Sequence, residues 1–295
     1  MEGRGMEKRE PPPGLGETGS GSYHGVVMHV QSLGYRTDLM FARFQGEVVQ
    51  ERDYIVVRTP SNPTFRWGNY LLFRRPPEPG DDERWPRLFA REMPHLAGVS
   101  EHRTFGWDAP GGEEGELEAF LARGYTAERS VVLTTGAVHA PPRPHPSAVV
   151  RTLRTDDDWA QATRNQVVCR DADEDEEGFR VFKERQMRAY RAMAEAGMGA
   201  WFGAFLEDRL VADLGLFVEG GVGRFQQVCT DPGHRRQGLC GTLVHRASMH
   251  GFEQLAADTL VLVAESGGAP ARIYGSVGFR QTERMIGTVH NGRAG

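Results

Sequence analysis

The sequence has little cysteine and almost no lysine. Its three cysteines are Cys169, Cys229 and Cys240, too few and too widely spaced for a disulfide framework or a zinc site. We therefore expect a reducing, cytoplasmic location. Lysine occurs only at positions 8 and 183, so the basic residues are almost all arginine. We interpret that bias as a property of the coding sequence rather than of the function.

Long apolar runs and basic stripes are also missing. No apolar segment approaches the ~18 residues of a membrane span, and a net charge of -5 without a basic stripe disfavours nucleic-acid binding. Residues 1–22 are rich in Gly, Pro and Glu and lack the apolar region of a signal peptide, so we predict a disordered tail. The expected partner is a small molecule, not a nucleic acid or a membrane.

The most informative stretch is residues 228–245. Val228–Thr230 is a short β-branched run, Asp231–Gly233 is a turn, and apolar residues recur after Gly241 with helical spacing. A basic, glycine-bearing loop at residues 235–241 connects the two. Strand, small-residue loop and helix N-terminus in this order direct free backbone N–H groups toward an anion, and the helix dipole adds to the attraction.

The loop lacks the spacing of a nucleoside-triphosphate or dinucleotide site. It resembles the R-x-x-G-x-G/A pyrophosphate loop of the GNAT N-acetyltransferases, which binds coenzyme A, with a thiol at Cys240 where the family has Gly or Ala. The resemblance implies that strand residues pair with the pantetheine arm and loop N–H groups hold the pyrophosphate. The implied cofactor-binding residues are Val228, Cys229, Thr230, Arg235, Arg236, Gln237, Gly238, Leu239, Cys240, Gly241 and Thr242.

A second stretch downstream agrees with the first. Residues 259–263 form an apolar strand run, and residues 269–279 resemble the family's short helix ending in Tyr-x-x-x-Gly-Phe, here at Tyr274, Gly278 and Phe279. The interval between the two signatures leaves room for one helix, one strand and a turn, as in the family.

The resemblance implies direct attack of a neutral amine on the thioester of acetyl-CoA, without a metal. Tyr274 is the candidate acid for the departing thiolate. The base is harder to assign, because Gln226 and Gln227 occupy the strand on which many relatives carry a glutamate, and an amide is not a base. Glu265 is the candidate base, with Glu219 and a chain of water molecules as alternatives.

The proline-rich residues 136–148 predict a linker between a domain at 23–135 and a domain at 149–295. Near its end the first domain contains Phe120–Tyr125, which resembles the stretch beginning at Tyr274 and suggests an internal repeat. Its Phe replaces the Tyr, and residues 74–83 offer prolines and consecutive acids where an anion loop would lie. We predict a degenerate GNAT-like domain; the alternative is an unrelated α/β domain that shares one short pattern.

The second domain has the order strand, two helices, three strands, helix, strand, helix, strand over residues 149–290. This is the GNAT order, so the predicted fold class is α/β with a mixed sheet, an acyl-CoA N-acyltransferase fold in two tandem units. An acidic loop at residues 171–177 would attract a cationic amine, although a solvated charge run is the alternative.

The predicted function is N-acetyl transfer from acetyl-CoA to a primary amine of a small molecule in the cytoplasm. Acetylation of a protein N-terminus or lysine stays open. The alternative from another class is a non-catalytic protein that binds acyl-CoA or a partner.

Overall fold

A computed structural model of the protein describes residues 28–171 and 175–292. Within these residues one mixed sheet runs through the molecule, with helices packed on both faces. The predicted tail at residues 1–22 lies outside the described part. The strands are β1 (Glu47–Gln50), β2 (Tyr54–Arg58), β3 (Tyr70–Phe73), β4 (Arg103–Trp107), β5 (Thr126–Thr135), β6 (Val149–Thr152), β7 (Gly199–Leu206), β8 (Arg209–Glu219), β9 (Val222–Thr230), β10 (Thr259–Glu265) and β11 (Arg280–His290).

Two helices follow the first strand of the predicted second domain, which is the order that the sequence predicts. None of the helices in the described ranges is both long and apolar enough to cross a membrane. The helices of the described part are α1 (Leu33–Gln45), α2 (Asp81–Glu92), α3 (Leu117–Leu121), α4 (Asp156–Val168), α5 (Glu176–Glu195), α6 (Leu239–Gln254) and α7 (Ala269–Gly275).

The strand order shows that the two halves exchange their last strands. Along the sheet the order is β1-β2-β3-β4-β11-β5-β10-β9-β8-β7-β6. β5, the end of the first half, pairs antiparallel with β10 of the second half, and β11, the end of the chain, pairs antiparallel with β4 of the first. β5 and β11 also pair with each other. The predicted linker at 136–148 therefore divides the chain into two parts, but the sheet is not divided there, because strands of each part pair with strands of the other.

The helices before these exchanged strands end in the same way, which supports the proposed repeat. The Tyr125 N–H donates to the carbonyl of Phe120, and the Phe279 N–H donates to the carbonyl of Tyr274, each at 3.2 Å. In both cases the preceding glycine has a positive φ, as this type of helix end requires.

The start of α2 is the place in the first half for which the sequence predicts no anion loop. The buried carboxylate of Asp81 occupies this helix start, where it accepts from Arg75 Nη1 and from the Glu78 N–H, both at 2.9 Å. The N-terminus of α4 is capped as the sequence predicts, because Thr155 and Asp158 form a capping box there. Hydrogen bonds from the Arg151 guanidinium hold the pKa of Asp158 well below its usual range.

Sequence reasoning missed α1 and β1. Ser32 caps α1, and a run of apolar residues at Leu39–Ala42 follows it, a signal that predicts an amphipathic helix. α1 packs on β2 and β3 through Tyr35 and Leu39, and on α5 through Phe41. It therefore bridges the two halves on the face of the sheet that carries α4 and α5.

Cys169 and Cys229 form a disulfide, with their Cα atoms 6.4 Å apart. The expectation that the cysteines are too scattered to pair is wrong for these two, because 60 residues of sequence separation are closed by the packing of α4 on β9. Cys240 is the free cysteine.

We expect reduction of this disulfide to lower the free energy of unfolding by about 2–4 kcal/mol, because the bond closes a long loop in the unfolded chain. Chemical denaturation with and without a thiol reductant measures the effect. Cys240→Ser should respond as the wild type does, and Cys229→Ser should no longer respond. An equal response of Cys229→Ser and wild type would contradict the prediction.

Candidate functional site

Two neighbouring strands of the second half separate and leave a cleft. β9 and β10 run parallel and pair only where Thr259–Val261 lies beside Val222–Arg224. Beyond that point β9 has no strand partner on this edge within the described residues. On its other edge β9 has a bulge, where Gln227 and Val228 lie opposite Leu214 of β8 alone, and Gln227 has a φ of 52°. Such a bulge bends and twists its strand, here where the two strands diverge.

A buried polar network holds the bulge. Gln166 on α4 donates from Nε2 to the main-chain oxygen of Gln227 at 2.7 Å and to the carboxylate of Asp213. Lys183 on α5 donates to the side-chain oxygen of Gln227 at 2.5 Å. Burial raises the pKa of Asp213 to about 7. Both helices on this face therefore stabilise the open shape of β9.

The loop between β9 and α6 turns its backbone N–H groups into one concave surface. Arg236 and Gly238 have φ values of 64° and 85°, which curl the chain before the helix begins. No N–H group from Arg236 to Gly241 finds an acceptor in the described ranges. Consecutive N–H groups at a helix N-terminus form an anion-binding site, as the sequence predicts for this loop.

These groups face a cavity of about 1020 Å³ on the α6 side of the cleft. Most of the predicted cofactor residues are brought together here. Gln237 is exposed and Thr242 is buried, and neither lines the cavity. The predicted residues that line it are Val228, Cys229, Thr230, Arg235, Arg236, Gly238, Leu239, Cys240 and Gly241.

The proline-rich segment 136–148, predicted as a linker, forms one side of this cavity, which the sequence analysis did not anticipate. The Thr242 hydroxyl donates to the carbonyl of Gly238 and accepts from the His145 N–H, both at 2.9 Å. Arg143 also lines the cavity, and a Cβ atom on Gly238 would lie 2.2 Å from its carbonyl oxygen. Gly238 is thus required both by its positive φ and by the linker that passes over it.

Tyr274 lies where the cavity meets the cleft and lines both. Its side chain is 5% exposed, and burial raises its pKa well above the usual value, so the hydroxyl keeps its proton at neutral pH. Burial also raises the pKa of the neighbouring Cys240 thiol to about 12. Glu265 is exposed and lines the same cavity, whereas Glu219 is ion-paired with Arg43 at the hairpin end away from the cleft.

A groove of about 860 Å³ continues from this cavity between the two halves. The Cys169–Cys229 disulfide borders both spaces. Of the acidic loop, Asp171 and Asp175 line the groove, and residues 172–174 lie outside the described ranges. The first half contributes aromatic and polar side chains to the wall: Thr64, Phe65, Arg66, Trp67, Ser100 and His102.

Clustered metal ligands are not found near these spaces or elsewhere in the described part of the chain, where no three His, Cys, Asp or Glu side chains are grouped to hold an ion. The groups that line the cavity and the cleft are backbone N–H groups, arginines, a protonated tyrosine and carboxylates.

The family assignment follows from this region. Residues 159–279 match the Acetyltransferase (GNAT) family, so the chain contains a domain of that family. The resemblance inferred from the two signatures is confirmed. Family and fold together support acyl transfer from an acyl-CoA. No curated protein matches the sequence significantly.

Solved structures share the fold over most of the chain. A conserved protein of unknown function from Staphylococcus epidermidis aligns with a TM-score of 0.65 at 11% identity, covering 85% of this chain and 96% of that one. A GCN5-related N-acetyltransferase from Kribbella flavida aligns at 0.59 and 14% identity, covering 89% and 97%. Another from Sphaerobacter thermophilus aligns at 0.56 and 15%, covering 86% and 85%. The predicted fold class is confirmed.

We expect Gly238→Ala to destabilise the protein more than Gly267→Ala does. Both glycines have positive φ, so each alanine adds roughly 1–2 kcal/mol of backbone strain. At Gly267 no atom lies within 4 Å of the added Cβ, whereas at Gly238 the linker carbonyl blocks it. Chemical denaturation of both variants measures the difference, and equal losses would contradict the contact between linker and loop.

Proposed function

We propose that the protein is an N-acetyltransferase that transfers the acetyl group of acetyl-CoA to a primary amine of a small molecule by direct attack. The observation that carries this proposal is the cleft between β9 and β10, which connects an N–H-lined basic cavity to a groove between the halves. A thioester cofactor and an amine can approach each other through such a cleft from opposite sides.

The cofactor is proposed to lie along β9 and the loop after it. The pyrophosphate would accept from N–H groups between Arg236 and Gly241, with charge from Arg235 and Arg236. The pantetheine arm would pair with the free edge of β9 near Val228 and Thr230, as an added strand does at an open sheet edge. The acetyl preference and the cytoplasmic location are part of the proposal; the location does not rest on unpaired cysteines, since Cys169 and Cys229 are bonded.

Direct attack is favoured over an acyl-enzyme because no cysteine is suited to be the nucleophile. Cys169 and Cys229 are bonded to each other, and the raised pKa of Cys240 keeps its sulfur protonated, whereas the thiolate is the reactive form. The amine therefore attacks the thioester itself in this proposal, and Tyr274 donates a proton to the departing thiolate.

A non-catalytic acyl-CoA-binding protein is the alternative, because the catalytic strand offers Gln226 and Gln227 and no carboxylate. Thermal unfolding with acetyl-CoA and thiol release with a panel of amines separate the two functions. Acetyl-CoA at ~100 times its Kd should add ~2.7 kcal/mol of stability, and Gly238→Glu should abolish that gain. Stabilisation without thiol release for any amine would favour the non-catalytic function.

We expect Tyr274→Phe to lower kcat about 100-fold while leaving the Kd for coenzyme A within a few fold, because the variant loses the proton donor and keeps the ring. Tyr125→Phe is the matched control, since it alters the buried tyrosine of the other repeat. Steady-state thiol release measures both, and unchanged turnover in Tyr274→Phe would remove this residue from the mechanism.

A further inference from the structure

A smaller cavity of about 260 Å³ lies on the other face of the cleft, between α1, α5 and the middle of the sheet. Strand alternation places it there: Phe225 and Leu262 point into the core beneath α6, whereas Arg224, Gln226 and Val263 line the small cavity. Arg224, Gln226 and Val263 also line the cleft. The cavity therefore opens onto the cleft from the side opposite the N–H-lined cavity.

The walls of this cavity come from both halves and include five aromatic side chains. Its charged groups are Asp38 on α1, Glu128 on β5 and Arg224 on β9. Two carboxylates and one guanidinium leave a net negative charge, which together with ring faces favours a cation. The aromatic residues are Tyr35, Phe41, Phe65, Trp67 and Tyr190.

The guanidinium of Arg224 bonds to α1 and to its own strand. It is 6% exposed and donates to the carbonyl of Gly34 at 3.2 Å and to the Thr37 hydroxyl at 2.8 Å. It also bonds to the carbonyl of Phe225, and its Nη2 lies 2.8 Å from Asp38 Oδ1. These contacts fix α1, and hence Asp38, against β9 beside the cleft.

Asp38 keeps one oxygen for a ligand. Its side chain is 26% exposed, and its surface faces the cavity. The Oδ1 atom of Asp38 pairs with Arg224, and its Oδ2 atom has no hydrogen-bond donor in the described part of the chain. The other carboxylate, Glu128, accepts from Trp67 Nε1 at 2.6 Å and is exposed. Asp38 is thus the carboxylate that is held beside the cleft with an acceptor oxygen available.

We propose that this cavity holds the acceptor, a small primary amine bearing a flat apolar group, and that Asp38 binds its ammonium group and takes its proton. The proposal deepens the proposed function and rests on it for the acyl donor. It supplies the base that the catalytic strand lacks, from a helix that sequence reasoning did not identify.

The proton and electron balance is as follows. The ammonium gives one proton to the Asp38 carboxylate, and the neutral nitrogen forms a C–N bond with the thioester carbon. The C–S bond breaks, and the sulfur leaves with its electron pair and gains a proton from Tyr274. The second proton of the nitrogen re-protonates the tyrosinate through solvent, and Asp38 releases its proton to water. The net products are the amide, free coenzyme A and one proton.

The titration of Asp38 is consistent with this role. Burial raises its pKa above the usual value, and the Arg224 guanidinium opposes part of that rise. The other titratable groups that face Asp38 are Tyr35, Tyr70 and Tyr190, whose own pKa values are raised by burial, and Glu128 across the cavity. A carboxyl group with a raised pKa is a stronger base toward an ammonium ion.

The kinetic test is Asp38→Asn in the full chain. We expect kcat to fall about 100-fold, and the remaining rate to rise with pH as the amine loses its own proton. Glu219→Gln is the matched control, because it also breaks an ion pair between α1 and the second half, that with Arg43, but lies away from the cavity. Equal effects of both variants, with unchanged pH profiles, would reduce Asp38 to a structural role. If Glu265→Gln, and not Asp38→Asn, removed the fall in kcat at low pH, the base would be Glu265 and not Asp38.

A binding test decides the acceptor site without chemistry. Calorimetry of 2-phenylethylamine with the protein saturated by coenzyme A should show binding that weakens about tenfold in Asp38→Asn. The neutral analogue 2-phenylethanol should bind weakly to both proteins. Equal binding of the two compounds, or equal amine binding in the variant, would overturn the proposal. If the amine binds through Asp38 but acetyl-CoA neither stabilises the protein nor reacts, the proposed function fails and the amine site stands.

Discussion

The pairing of β5 with β11 at the middle of the sheet is the interaction on which the rest of the structure depends. Each is the last strand of one half, and each pairs on its other side with a strand of the opposite half. Neither half can complete its part of the sheet without the other. This exchange fixes the distance between the halves, and so it fixes the groove and the small cavity that lie between them.

Within this frame, the cleft between β9 and β10 has two chemically different sides. On the α6 side, backbone N–H groups and arginines favour an anion. On the α1 side, aromatic rings and carboxylates favour a cation. The bulge at Gln227 separates the strands, and the hydrogen bonds from Gln166 and Lys183 satisfy the polar groups that the bulge exposes. An opened strand edge is stable here because its polar groups have other partners.

The two halves differ at the positions that are proposed to bind an acyl-CoA. The carboxylate of Asp81 occupies the helix start of α2, whereas the N–H groups at the start of α6 have no acceptor among the residues that the structure describes. Phe120 is fully buried, whereas Tyr274, at the matching position of the second half, lines a cavity. The first repeat has kept its fold and the geometry of its helix end. Its contribution to the site is a wall of the groove and, through α1, the position of Asp38.

Local patterns in the sequence determined most of the elements, the capping box at Thr155, the anion loop at Gly238 and the place of Tyr274 at a helix end. These depend on residues a few positions apart, so their spacing is visible in one sequence. Only the tertiary structure decided the exchange of the last strands, the Cys169–Cys229 bond, the linker over the loop and the contact of Asp38 with β9. Such contacts join residues far apart in the chain, and only the packing of the whole sheet brings them together.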